Sequence, residues 1–185
     1  AAFANGHTVE TSMGYSPLPG LVMSTRCGDL DPEIVLELVR DGKTAEEIDV
    51  LLNNKSGLIG LSGYSSNLAE IIDAAEKGEE RCILAYEVYA NRLKNYIGAY
   101  YWQLNSADAI VFTDDVGTHC WQLREKVCGA VENLGVKLDR VSNREARADS
   151  DQILSQPDSK VKILSMPTNE ESIILLEVMH ALRID

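Results

Sequence analysis

Between residues 80 and 104, apolar side chains recur at three- and four-residue steps: Tyr86, Ala90, Leu93, Ile97, Tyr100, Tyr101 and Leu104. That spacing predicts a single helix of about 25 residues, long enough to be either a core helix or part of a subunit interface. Shorter periodic stretches predict further helices. One follows Asp31 (N-cap) and Pro32 (first helical position), carries Ile34, Val35, Leu38 and Val39 on one face, and stops at Asp41-Gly42. A second starts from the capping box Thr44-Ala45-Glu46-Glu47, with Ile48, Leu51 and Leu52 inside. Others are expected over 67–77, over 120–134 with Cys120, Leu123, Val127, Val131 and Leu134 buried, and at the end of the chain. That last helix is expected to be capped by Thr168-Asn169-Glu170-Glu171 and to bury Ile174, Leu175, Val178, Met179 and Leu182. Strand patterns occur as a hairpin about Asn5-Gly6, at Leu21-Val22-Met23, over 108–113 as a buried central strand, and over 160–166 before Pro167. Residues 55–66, with Gly57, Gly60 and Gly63, and residues 143–151 read as loops, and 113–119 as a turn. Recurring strand–turn–helix units predict an α/β lobe on a mixed sheet with flanking helices.

Composition narrows the partners. The net charge of −12 over 185 residues argues against nucleic acid and anionic membranes. Cys27, Cys82, Cys120 and Cys128 form no CxxC pair and no zinc spacing, which suits a reduced, cytoplasmic protein. No apolar run reaches the roughly 18 residues of a membrane span. A chain that starts without Met, inside a hairpin, is expected to be a piece of a longer protein.

Three segments have the residue types for chemistry. Arg26 lies in Ser24-Thr25-Arg26-Cys27-Gly28-Asp29-Leu30, between a predicted strand and a capped helix. Its planar fork suits a phosphoryl group or carboxylate, and equally a structural pair with Asp29 or Asp31. Glu170, in the first turn of the last helix, suits Mg²⁺ or simple compensation of the helix dipole. The turn after the apolar strand at 108–113 is where α/β folds hold phosphates, yet it begins Asp114-Asp115. At ~4 Å and an effective dielectric of ~20, each like-charge pair costs about 4 kcal/mol. That equals the whole of a millimolar binding energy, about 4 kcal/mol. Such carboxylates must point away, or share a cation, or belong to a site that takes no ordinary nucleotide. His7, His119 and His180 have neither metal spacing nor a triad partner.

In order, Thr11-Ser12-Met13-Gly14, Thr25-Arg26-Cys27-Gly28-Asp29-Leu30-Asp31-Pro32, Asn54-Lys55-Ser56-Gly57, Leu61-Ser62-Gly63, Tyr96-Ile97-Gly98-Ala99-Tyr100, Val111-Phe112-Thr113 and Pro167-Thr168-Asn169-Glu170-Glu171 resemble the acetate kinase family, across nearly the whole chain. The resemblance implies a ribonuclease-H-like lobe of the acetate and sugar kinase, Hsp70 and actin superfamily, with residues 1–185 forming the carboxy-terminal, nucleotide-side and dimerisation lobe. It implies transfer of a phosphoryl group between ATP or ADP and a small acyl substrate, acetate foremost, with Mg²⁺, in a homodimer. By the same resemblance Arg26 matches the arginine that stabilises the phosphoryl group in flight, and Glu170 the glutamate that positions Mg²⁺. The nucleotide would meet Asn67, Leu68, Ala69, Asp115, Val116, Gly117, Thr118 and His119.

The departures are local. The family's amino-terminal lobe, with its asparagine, arginine, aspartate, histidine and His-Leu-Gly-Asn-Gly turn, is not matched, so the chain alone is expected to be inactive. The family's Asp-x-Arg stands here as Asn67-Leu68-Ala69. Its Gly-Gly-Ile-Gly-Glu-Asn turn stands as Asp114-Asp115-Val116-Gly117-Thr118-His119, keeping only Gly117. That pattern also admits a homologue that assembles or regulates without catalysis, or one that takes pyrophosphate in place of ATP.

Overall fold

The computed structural model describes residues 1–182, which divide into two compact units, residues 1–107 and residues 108 onwards. The first opens with the hairpin β1 (Ala2–Ala4) and β2 (His7–Glu10), paired antiparallel. Asn5 (φ 51°) and Gly6 (φ 77°) turn it, both left-handed as a two-residue hairpin requires. Five helices follow: α1 (Pro32–Arg40), α2 (Ala45–Asn54), α3 (Gly57–Ser62), α4 (Leu68–Glu76) and α5 (Glu80–Gln103). The caps fall where the sequence puts them. Asp31 accepts from Glu33 N, and Thr44 and Glu47 form the reciprocal box. The core of this unit gathers Ile48, Leu58, Leu68, Ile71, Ile72, Cys82, Ala85 and Ala90.

The second unit runs β3 (Ala109–Phe112), α6 (Asp114–His119), α7 (Trp121–Cys128), a 3₁₀ turn (Glu132–Leu134), α8 (Arg140–Glu145), β4 (Gln152–Ile153), β5 (Lys162–Ser165) and α9 (Glu170–Leu182). Its sheet has the order β3-β5-β4, with β3 parallel and β4 antiparallel to β5. The mixed sheet with flanking helices is the predicted fold class. Leu123, Val127, Leu154, Val161 and Ile163 fill the core.

Several expectations are corrected. Leu21-Val22-Met23 joins no sheet: Met23 O accepts from Leu58 N, so a helix start, not a strand, satisfies it. The expected loop at 55–66 contains α3, which Gly57 permits by bringing its backbone against Met23 and Arg26. Among the described residues β3 is an edge strand with Val111 46% exposed, and β5 is the middle one; an apolar run alone does not fix strand order. The turn at 113–119 is itself a short helix, ended at Cys120 (ψ 79°), and the helix expected over 120–134 stops early, at Gly129, leaving Val131 half-buried and Leu134 exposed. Part of the loop at 143–151 belongs to α8, started by Asp139 accepting from Val141 N and Ser142 N. No residue of α1 is buried, although Ile34, Val35, Leu38 and Val39 do lie at helical spacing. In α9 the cap is Asn169, which accepts from Ser172 N, not Thr168. Its apolar side chains are not buried either: Ile174, Leu175, Val178 and Leu182 are exposed and Met179 is half-buried. Among the described residues no helix is long and apolar enough to cross a membrane.

Candidate functional site

Arg26 sits in a loop held by helix ends. Cys27 N donates to Leu52 O (2.9 Å), Ser56 N to Thr25 O (3.0 Å), Ile59 N to Ser24 O (3.1 Å) and Thr25 Oγ1 to Asn53 O (2.7 Å). These bonds use the carbonyl end of α2 and the amide end of α3, groups a helix leaves orphaned. Gly57 is the close contact: with φ 62° and a Cβ added, it would lie 2.7 Å from Arg26 O. The backbone of Arg26 is therefore fixed from below.

Both acids that might have paired with Arg26 are engaged elsewhere. Asp29 accepts from Gly20 N (2.8 Å), from Arg92 Nη1 (3.0 Å) and from the Tyr96 hydroxyl (2.6 Å). Asp31 caps α1. Among the described residues, the half-buried Arg26 guanidinium bonds only the Met23 sulfur, at 4.0 Å. Burial, and then the bond to Asp29, push the Tyr96 hydroxyl up to about 12. Sequence reasoning missed Arg92 and Tyr96 as the partners of Asp29, because they lie more than sixty positions away on α5.

Of the residues of the first unit expected to meet the nucleotide, Asn67 caps α4 by accepting from Ala69 N (2.9 Å). Leu68 is in the core, and Ala69 is exposed.

In the second unit, β3 and β5 run parallel and adjacent, and Met166 N donates to Phe112 O (2.9 Å) where both end. The chain leaves β3 into α6 and leaves β5 towards Glu170, so both segments leave the sheet at the same end of the strands. This is the carboxyl end of parallel strands, where α/β sheets bind ligands. Asp114 is left-handed (φ 62°), and its Oδ1 accepts from Asp115 N (2.8 Å). Thr118 Oγ1 donates to Asp114 O (2.8 Å), and His119 Nδ1 lies 3.1 Å from Asp115 O. Asp115 and His119 are exposed, Val116 is half-buried, and Gly117 and Thr118 are buried. Gly117 packs on the end of β3: an added Cβ would lie 3.0 Å from Phe112 C. That contact explains why glycine stands here.

Glu170 is exposed in the first turn of α9. Among the described residues no group of three or more His, Cys, Asp or Glu is arranged for a metal. A single exposed carboxylate nonetheless fits Mg²⁺, which commonly binds one or two carboxylates and takes its remaining ligands from phosphate and water.

The Acetokinase family model matches residues 1–176. The acetate kinase of Dictyoglomus turgidum is 46% identical over 184 residues, covering 97% of this chain and 44% of its own length. That of Thermotoga maritima is 49% identical over 176 residues, 94% of this chain and 44% of its own. Among solved structures, Porphyromonas gingivalis acetate kinase superposes with a TM-score of 0.90 at 41% identity, covering 96% of this chain and 45% of that one. Entamoeba histolytica acetate kinase gives 0.91 at 37% identity, with 96% and 47% covered. The chain thus spans just under half the length of the relatives it matches. By the family match and by fold, this chain belongs to the acetokinase family.

Proposed function

We propose that this chain supplies the nucleotide-side lobe of an enzyme that moves a phosphoryl group between ATP or ADP and acetate. The observation that carries the proposal is the shared carboxyl end of the sheet: from adjacent parallel strands the chain leaves on the same side into the turn 114–119 and towards Glu170. Arg26 has the second requirement, a guanidinium with no carboxylate partner, ready to bond the equatorial oxygens of a phosphoryl group in transfer. Glu170 would hold Mg²⁺, which when bound neutralises phosphate charge. A homodimer, a cytoplasmic setting and the assignment of residues 1–185 to one carboxy-terminal lobe belong to the same proposal.

A second reading, pyrophosphate as donor, draws on the two carboxylates that begin the turn. Asp114 and Asp115 stand where the family has the glycines that let adenosine approach.

The test is acyl phosphate formation, trapped as the hydroxamate, by an active enzyme containing this chain. Acetate, Mg²⁺ and either ATP or pyrophosphate are supplied. Turnover with ATP supports the first reading and turnover with pyrophosphate alone the second; neither product sinks both. In the active form, Arg26→Ala is expected to lower kcat by about 10²–10³ with little change in KM, as for loss of one donor to a transition-state charge. A loss confined to KM contradicts the assigned role.

A further inference from the structure

Arg124, on α7, is 1% exposed, and the ion pairs of the described residues do not include it. A buried cation without a counter-ion is costly, and an apolar side chain of similar length fills such space at lower cost. Burial accordingly lowers the Arg124 pKa from its ordinary value. Its bonds show what the charge holds. Nη1 donates to Gly117 O (2.6 Å) and Thr118 O (2.8 Å), the carbonyls at the end of α6. Nε donates to Asn143 Oδ1 (2.7 Å) and Nη2 to Asn143 O (3.0 Å). Asn143 is fully buried and is itself tied to Trp121 O through Nδ2 (2.9 Å).

The helix so held cannot hold itself. α6 has six residues, well short of independent stability, and enters through a left-handed aspartate. Its last carbonyls are the groups a helix end leaves unsatisfied, and one planar guanidinium binds two of them while its other edge is fixed to α8. A lysine, as a compact charge, cannot bridge these points.

We infer that Arg124, braced by Asn143, is a positioning residue that sets the place and rigidity of the turn 114–119 for its phosphate-bearing ligand. The inference rests on the reading of that turn as the nucleotide site.

The test uses the full 185-residue chain with Mg²⁺ and ADP or pyrophosphate as probes. Dissociation constants are measured by calorimetry well below each variant's melting midpoint, where a merely structural substitution leaves affinity unmoved. Arg124→Lys is expected to stay folded, to speed amide exchange in α6 and α8 but not in β3 or β5, and to weaken ADP binding about tenfold. Unchanged binding, or exchange that rises equally in β3 and β5, overturns the inference while leaving the nucleotide reading intact. If the unsubstituted chain binds neither probe, the nucleotide reading falls and the inference with it. Should Arg124→Lys not fold, Asn143→Asp carries the test. It keeps the acceptor for Nε but draws the guanidinium towards a carboxylate and away from the α6 carbonyls. The same weakening is expected there, and ADP affinity equal to that of the unsubstituted chain overturns the inference.

Discussion

Asp114 stands at φ 62°, a conformation that disfavours side chains with a Cβ and is natural for glycine. The sequence comparison with Gly-Gly-Ile-Gly-Glu-Asn made the departure legible but not its cost, because φ is not written in residue types. Asp114→Gly is expected to stabilise the chain by about 1 kcal/mol. The urea midpoint should rise at unchanged slope, and a fall would show that the Asp114–Asp115 bond outweighs the strain. Arg26 and Glu170 were readable as candidates from their positions in turns. What freed Arg26 was not readable. The ion pair that removes Asp29 from its reach joins the loop to a helix far along the chain.

At the scale of elements, helix boundaries marked by side-chain caps were the most legible part of the first unit: Asp31, and Thr44 with Glu47, cap as the local pattern demands, while Asn67, read as the first residue of its helix, caps it instead. Helices started by tertiary contact were not. α3 has no side-chain cap bond and exists where its amides meet the Arg26 loop. The long α5 was expected from its periodicity, but its contribution to the loop is polar, through Arg92 and Tyr96. That contribution predicts a pH response. The Tyr96 pKa is raised from 10.0 to about 12, so the folded state holds this proton more tightly than the unfolded one. The resulting stability is complete below pH 10 and is lost as pH rises towards about 12. Melting midpoints should fall across that window, and fall less steeply in Tyr96→Phe. Identical slopes would mean that Tyr96 does not carry the effect.

Over the whole molecule, the alternation of strands and helices announced an α/β fold, whereas strand order did not follow from hydrophobicity. Among the described residues β3 (Ala-Ile-Val-Phe) is more apolar than β5 (Lys-Ile-Leu-Ser) yet lies at the edge. The apolar positions of α9 were visible in sequence, but Ile173, Ile174, Leu175 and Leu176 are consecutive and exposed, so their pattern never defined one inward face. Relatives of more than twice this length share the fold. Phosphoryl transfer needs its reactants enclosed and oriented. The 185-residue chain by itself is therefore expected to form no acetyl phosphate from acetate, Mg²⁺ and ATP. Hydroxamate above the no-enzyme rate would overturn that expectation.

The close approach of Gly57 to Met23 and Arg26 also bears on how such a protein changes over generations. A side chain at 57 would displace the arginine's backbone, and a shifted arginine loop would leave the amides of α3 without acceptors. At position 57, then, a side chain could be gained only together with a compensating change in the arginine loop.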